Sequence, residues 1–116
     1  MELDATSLYV IRRHKDLSSI YGAAENAVTT SAEYFERMIE SVTDKIEGNV
    51  EGKDFLWGSC FSELDILMTV CLDWATFVGV NIPSGFQNYR KSMANRIAYR
   101  NAQAFNYSNL QIPQTK

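Results

Sequence analysis

The chain has few of the residues that metal, redox and nucleic-acid sites require. Its 116 residues include one histidine and two cysteines, Cys60 and Cys71, with no CxxC spacing between them. The sequence therefore contains no visible metal-binding or redox motif. The 14 acidic residues outnumber the 11 basic ones, for a net charge of −3. This balance argues against a nucleic-acid partner, because nucleic-acid phosphates require a basic surface.

Long uninterrupted apolar runs are also missing. The most apolar stretch, residues 61–79, contains Asp65 and Asp73, which argues against a membrane span. The opening MELDATSLYV has early acids and no long apolar centre, so it does not resemble a secretory signal. We therefore expect a soluble cytoplasmic protein without a membrane partner. We also expect no disulfide, since a largely helical segment would separate Cys60 from Cys71.

Helical periodicity is present along almost the whole chain. A length of 116 residues with 46% hydrophobic and 22% charged residues suits one globular domain with its own core. We predict an all-α helical bundle over residues 1–107, followed by a polar tail at 108–116. The predicted helices are 3–15, 25–47, 62–79, 84–95 and 97–106, with connections at 17–23 and 48–60. The fourth helix places Phe86, Tyr89 and Met93 on one face, and the last places Ala98, Ala102 and Phe105 together. The apolar FLW in the second connection should pack back on the core.

Two of these helices have distinct apolar patterns. In residues 25–47 the apolar positions fall at gaps of 4, 3, 4, 3 and 4, which predicts one buried face and a helix that stops at Gly48. Residues 62–79 are apolar in nearly every direction, which predicts a buried central helix that ends at Gly79. The predicted face of the first is Val28, Ala32, Phe35, Ile39, Val42 and Ile46. The main line of the second is Leu67, Cys71, Trp74 and Val78, widened by Ile66, Val70 and Phe77.

The start of the central helix, FSELDI at residues 61–66, can be interpreted as structure or as chemistry. Ser62 and Asp65 fit a capping box, in which each side chain accepts a hydrogen bond from the backbone N–H of the other residue. Phe61 and Ile66 then occupy the two positions of a hydrophobic staple. A catalytic interpretation of Asp65 requires a neighbouring base or nucleophile, and the sequence offers none. We therefore favour the structural interpretation.

The same region resembles the C-terminal domain of the cytosolic glutathione S-transferases. Members of that family commonly show an "fLxG" run, then F-S-x-A-D-I and a long apolar helix; here the segments are FLWG at 55–58 and FSELDI at 61–66. RIAY at 96–99 is similar to the family's R-P-A-Y. Two positions depart from the pattern: Leu64 replaces the usual Ala, and Ile97 replaces a Pro that favours a helix start. The resemblance implies the helical-bundle fold of that domain.

The resemblance also implies that the catalytic machinery is missing. In the family, an N-terminal thioredoxin-like domain activates the glutathione thiol and holds the tripeptide. We expect no such domain here, because these residues show no βαβ pattern. The helical domain supplies one wall of the hydrophobic co-substrate pocket. By resemblance, Tyr9, Arg13 and Trp74 are the candidates for that wall. The alternative is that Trp74 belongs to the core, Tyr9 to ordinary packing and Arg13 to the surface. For the basic cluster 12–15, a solvated helix end competes with an anion site.

Two classes of function therefore remain open. The chain is either a non-catalytic binding or assembly module, or a fragment of an active transferase that conjugates glutathione to electrophiles. We expect no catalytic residue and no cofactor in the isolated chain, with glutathione bound only if an N-terminal domain is supplied. The expected partner is a second copy, through the first two helices as the resemblance implies, or a protein that covers the face left open by the missing domain.

Overall fold

The computed structural model describes residues 5–50, 55–56 and 60–107, with the side chains of 44–50 left aside. These residues form α-helices and one π-helical segment, and no strand occurs among them. The predicted all-α class is therefore confirmed. Residues 1–4 and the predicted tail at 108–116 lie outside the described residues. The elements are α1 (Thr6–Ile11), the π-helical segment (Arg12–Asp16), α2 (Ser18–Tyr21), α3 (Glu25–Val50), α4 (Glu63–Val78), α5 (Ser84–Ala94) and α6 (Ile97–Tyr107).

The hydrophobic core lies between α1, α3, α4 and α5. Helix α1 packs mainly against α3, and α4 packs against α5 and α1. Because each helix contributes an apolar face at a spacing of three or four residues, the four faces close around one cluster. Its fully buried members are Leu8, Ile11, Phe35, Ile39, Val42, Leu72, Ala75, Val78 and Phe86. No helix in the described part of the chain is both long and apolar enough to cross a membrane.

The buried face predicted for α3 is confirmed where its side chains are described. Phe35, Ile39 and Val42 are buried, and Val28 and Ala32 are partly buried against the same cluster. The predicted stop at Gly48 is wrong, because the helix continues to Val50. A glycine inside a helix destabilises it by only about 1 kcal/mol, so it ends a helix only where the backbone also turns left-handed. Ile46, the last predicted position, lies outside the described side chains.

The N-terminal region is more structured than the sequence predicts. The single helix expected at 3–15 is α1 followed by a π-helical turn, in which the Leu17 N–H donates to the Arg12 carbonyl at 2.9 Å. This bond spans five residues rather than four, which widens the turn by one residue. The connection expected at 17–23 contains the short helix α2. Gly22, with φ of 88°, ends it in a backbone conformation that favours glycine.

The prediction that α4 is buried on all sides is wrong. One face of α4 is buried and carries Asp65, Met68, Thr69, Leu72, Ala75 and Val78. Leu67, predicted to lie in the main buried line, is 64% exposed, and Ile66 and Val70 are about half exposed. The helix lies at the margin of the core with α1 and α5 as its main neighbours, so the described residues leave Ile66, Leu67 and Val70 on its outer face largely uncovered.

The last two helices differ in how they attach. Helix α5 buries Phe86, Tyr89 and Met93, as its pattern predicts. Helix α6 has no buried residue, and its apolar positions Ala98, Ala102 and Phe105 are exposed. Before α4, Phe55 packs partly against the core and Leu56 is buried, which confirms that this loop folds back; Trp57 lies outside the described residues.

Candidate functional site on helix α4

The N-terminal end of α4 is organised around the buried carboxylate of Asp65. Asp65 is fully buried and accepts three hydrogen bonds: from the Leu56 N–H at 3.1 Å, the Ser62 N–H at 2.9 Å and the Tyr89 hydroxyl at 2.6 Å. A buried carboxylate requires such donors because it has left water. Burial, and then the bond to Asp65, raise the pKa of Tyr89 well above its usual value. One side chain thus joins the loop before α4, the start of α4 and helix α5.

Ser62 occupies the N-cap position with an extended backbone, and its side chain faces the Asp65 backbone as in a capping box. The serine half of the box does not close as a hydrogen bond. Ser62 Oγ is buried without a hydrogen-bond partner among the described residues, and the Asp65 N–H lies 3.0 Å from the Ser62 carbonyl oxygen, to which it donates. The aspartate half, through the Ser62 N–H, therefore carries the cap.

The staple positions lie on the surface. Phe61 is 38% exposed and Ile66 is 52% exposed, so neither side chain is enclosed. The ring of Phe61 makes an edge contact with Phe55, at 6.0 Å between centroids. The guanidinium of Arg96 lies 3.3 Å from the centre of the same ring. These contacts fasten the entry to α4 to the junction of α5 and α6.

A second polar cluster, absent from our sequence predictions, lies halfway along α4. Asp73 accepts from Arg90 Nε at 2.6 Å and from the Tyr99 hydroxyl at 2.8 Å. Gln103 Nε2 in turn lies 3.1 Å from that hydroxyl. Burial, and then the bond to Asp73, raise the pKa of Tyr99 to about 12. The only sequence signal for this cluster is an acid within an apolar run. In the structure this cluster connects α6 to α4 through polar side chains.

The two aromatic candidates for a pocket wall are in contact with each other, and the third candidate contacts a different ring. The rings of Tyr9 and Trp74 lie 5.5 Å apart between centroids, and Trp74 also makes an edge contact with Phe77 at 5.9 Å. Trp74 is partly buried against the core and Tyr9 is 48% exposed. Arg13 lies 5.7 Å from the ring centre of Tyr21 instead. The structure thus brings Tyr9 and Trp74 to one surface and points Arg13 to another contact.

The basic cluster 12–15 is more than a solvent-exposed helix end, because two of its side chains contact α4. The Arg12 guanidinium lies 4.9 Å from the centre of the Phe77 ring and 3.5 Å from the Asp16 carboxylate. Lys15 donates from Nζ to the Val78 carbonyl, so it places a cation on one of the open carbonyls at the C-terminal end of α4. The widened π-helical turn thus carries positive charge to one end of α4.

We call the exposed apolar face of α4 the α4 stripe and define it by Ile66, Leu67, Val70, Trp74 and Phe77. These positions recur every three or four residues and so share one side of the helix. Exposure of Ile66, Leu67, Val70 and Phe77 lies between 39% and 64%. Tyr9 and Arg12 border one edge of the stripe. The Asp73 cluster borders the other.

Among the described residues, metal-binding groups, thiols and clefts are the features that could add chemistry to this stripe. No three His, Cys, Asp or Glu side chains among them are placed to hold a metal ion. Cys60 is exposed, and Cys71 is half-buried on α4 with a thiol pKa that burial raises. A cleft of about 410 Å³ lies elsewhere, between α3 and the segment before α5. Its lining includes none of Tyr9, Arg13 and Trp74; it consists of Glu36, Ile39, Glu40, Thr43, Asn81, Ile82 and Pro83.

Comparison with known proteins assigns no family. No protein-family model matches the chain, and no curated protein or solved structure matches it.

Proposed function

We propose that this chain is a non-catalytic helical module of the glutathione S-transferase C-terminal type, which acts in assembly through the α4 stripe. The observation that carries this proposal is the exposure of the stripe. Leu67 is 64% exposed, Ile66 52% and Val70 51% on a single helix face. Isolated apolar side chains are normal on surfaces, but a continuous apolar helix face generally marks an interaction site.

The rim of the stripe supports an interface with protein. Arg12 lies at one edge and the Asp73–Arg90 pair at the other, so an apolar centre is bordered by charged groups. Protein interfaces commonly have this arrangement of apolar core and polar rim. Aromatic residues and arginine are enriched at such surfaces. The stripe and its rim contain Trp74, Phe77 and Arg12.

Two features support the glutathione S-transferase type of bundle. Ser62 and Asp65 stand at the N-cap and third positions of the helix that follows the FLWG segment. In the family a long amphipathic helix precedes the central helix, and here the longest helix, α3, precedes α4. The exposed outer face of α4 departs from the buried central helix of that order. The family's dimer through the first two helices, here α1 and α3, remains a proposal. Among residues 25–43 of α3, Tyr34 is the only exposed large apolar side chain, which favours α4 as the association face.

The absence of activity is testable directly. The purified chain is expected to turn over no general aromatic electrophile with glutathione and to pass unretained through immobilised glutathione. The reason is that the resemblance assigns thiol activation and tripeptide binding to a domain whose motifs this sequence does not show. Measurable enzyme-dependent conjugation, abolished by heat denaturation of the chain, would contradict the proposal.

The alternative function is a fragment of an active transferase. The contact between Tyr9 and Trp74 favours it, because the resemblance places both at the co-substrate wall. A thioredoxin-like domain of that family, supplied as a separate chain, would then restore conjugation and protect Cys71 of α4 from alkylation. The exposed Cys60 serves as the control thiol in the same sample. Restored turnover would support the fragment and count against the stand-alone module.

A further inference from the structure

The α4 stripe has opposite charges at its two ends. Glu63 is exposed in the first turn of α4, and Arg12 lies over Phe77 in the last turn. Asp16 neutralises part of the charge of Arg12, at 3.5 Å, but Lys15, whose Nζ donates to the Val78 carbonyl, leaves the end near Phe77 with a net positive charge. Along the line of the stripe an acid, Glu63, therefore stands at the start of the helix and a base, Arg12, at its end. The Arg96 guanidinium, over the Phe61 ring, is a second charged group at the helix entry.

The charged ends are placed symmetrically about the middle of the stripe. Glu63, Val70 and Phe77 are each seven residues apart, which is almost two full turns, so they lie along one line of the helix. Val70 is the midpoint, and Glu63 lies ~21 Å from Phe77 along the axis at 1.5 Å per residue. Val70 is 51% exposed and has a short side chain, which permits close approach of another helix at this point.

These features match the requirement of a two-fold interface. In such an interface each patch meets its own copy in the opposite direction, so charges at the two ends of the patch attract across the interface when they are opposite and equally far from its centre. The α4 stripe meets that condition. A parallel arrangement would instead place acid beside acid and base beside base.

We infer that the partner of the α4 stripe is a second copy of this chain, packed antiparallel with its two-fold axis at Val70. Each residue before Val70 then lies opposite the residue equally far after it in the partner. Glu63 of each copy faces the Arg12–Phe77 end of the other, and the pair forms twice. This inference rests on the proposed assembly function and names its partner.

The exposed area is adequate for such a dimer when the rim is included. The apolar stripe provides an area on the order of several hundred Å². The charged rim and Tyr9 extend the contact towards the ~800 Å² per partner of a standard interface. We therefore expect a reversible dimer that dissociates on dilution.

A cysteine placed on the two-fold axis tests the geometry. In a chain with Cys60→Ser and Cys71→Ser, the variant V70C should form an intermolecular disulfide in high yield under mild oxidation. The matched control is I66C, which lies on the same stripe with similar exposure. Two copies of position 66 would be ~12 Å apart along the axis, too far for a disulfide. Equal crosslinking of both variants, or none with V70C, would overturn the inferred arrangement.

Substitution in the native background tests the interface itself. V70E places two carboxylates on the axis and should raise the dimer dissociation constant at least ~tenfold, because a central interface position is desolvated. Y34E, on the outer face of α3, should leave the constant unchanged. Sedimentation velocity over a concentration series gives the constants, and far-UV circular dichroism verifies that both variants fold. If Y34E dissociates the dimer and V70E does not, the dimer uses α3 and the inference is wrong.

Charge reversal tests the antiparallel pairing. E63K and R12E should each weaken the dimer several-fold at low salt, since each places like charges together twice. The double variant E63K/R12E restores both opposite-charge pairs and should recover most of the affinity. A double variant weaker than either single one would exclude the pairing.

These outcomes are separate from the proposed function. Turnover of glutathione would contradict the non-catalytic module, whereas a monomer at all concentrations would overturn only the second copy as partner.

Discussion

Replacement of Asp65 by alanine should destabilise the protein far more than the loss of an ordinary helix cap. The side chain is fully buried and accepts from the N–H groups of Leu56 and Ser62 and from the Tyr89 hydroxyl. Alanine accepts none of these bonds, so three donors lose their partner at once. An ordinary cap is worth ~1 kcal/mol, whereas each buried donor left unpaired costs ~1–3 kcal/mol.

We therefore expect Asp65→Ala to lower the free energy of unfolding by ~3–5 kcal/mol. The lower part of the per-bond range applies to the Ser62 N–H, which is only partly buried and can recover some solvation. Since small domains have a total stability of ~5–15 kcal/mol, this loss is a large part of the stability of the protein. Urea denaturation followed by far-UV circular dichroism measures the change, with the slope checked for constancy.

Two further variants distinguish the hydrogen bonds of Asp65 from the effect of a negative charge at the helix N-terminus. Tyr89→Phe removes one of the three bonds and should cost ~1–2 kcal/mol. In the Asp65→Ala background it should cost much less, because no acceptor remains for the hydroxyl. Glu63→Ala removes an exposed acid in the same first turn and should cost less than ~1 kcal/mol.

A comparison of Asp65→Ala with Glu63→Ala can refute the role of the Asp65 hydrogen bonds. If Asp65→Ala lowers stability by no more than Glu63→Ala does, the carboxylate contributes only its charge near the helix N-terminus, and the three-way connection has no energetic role. Additive effects of Asp65→Ala and Tyr89→Phe would likewise show that the 2.6 Å contact does not couple α4 to α5.

Three other perturbations have defined outcomes. Tyr99, with a pKa raised to about 12, ionises less readily in the folded than in the unfolded chain. Its contribution to stability is therefore complete below pH ~10 and is lost as the pH rises towards 12. Tyr99→Phe should remove that loss in alkaline unfolding curves. Gly79 ends α4 at φ 84°, so Gly79→Ala should destabilise by ~1 kcal/mol in urea titrations, and an unchanged midpoint would contradict the left-handed cap. In a sample diluted to the monomer, Cys71 should react with a thiol-alkylating reagent more slowly than the exposed Cys60, because burial raises the pKa of its thiol; equal rates by mass spectrometry would refute its partial burial.

The sequence predicted the features that depend on local spacing. The buried faces of α3 and α5 follow from apolar residues every three or four positions, and the structure confirms Phe35, Ile39 and Phe86 as core residues. The bounds of α4 follow from a capping residue at Ser62 and a left-handed Gly79. Such signals involve residues within one or two turns, so no knowledge of distant segments is needed.

The sequence did not predict the features that depend on long-range contacts. It treated Asp73 only as an interruption of an apolar run, yet this carboxylate binds Arg90 and Tyr99, 17 and 26 residues further on. It also gave no reason for the extra residue in the turn at Arg12–Asp16, which lies against the end of α4. Each of these depends on how helices approach one another.

The sequence by itself therefore determined that the chain is helical and where its main helices form, because backbone hydrogen bonds and capping are local. Only the tertiary structure decided which side of α4 is covered. An apolar side chain favours burial equally on every side of a helix, and whether it is buried depends on which distant element packs there. Helices α1 and α5 cover one side of α4, and the uncovered side, with Glu63 at one end and Arg12 at the other, is the surface on which the proposed function depends.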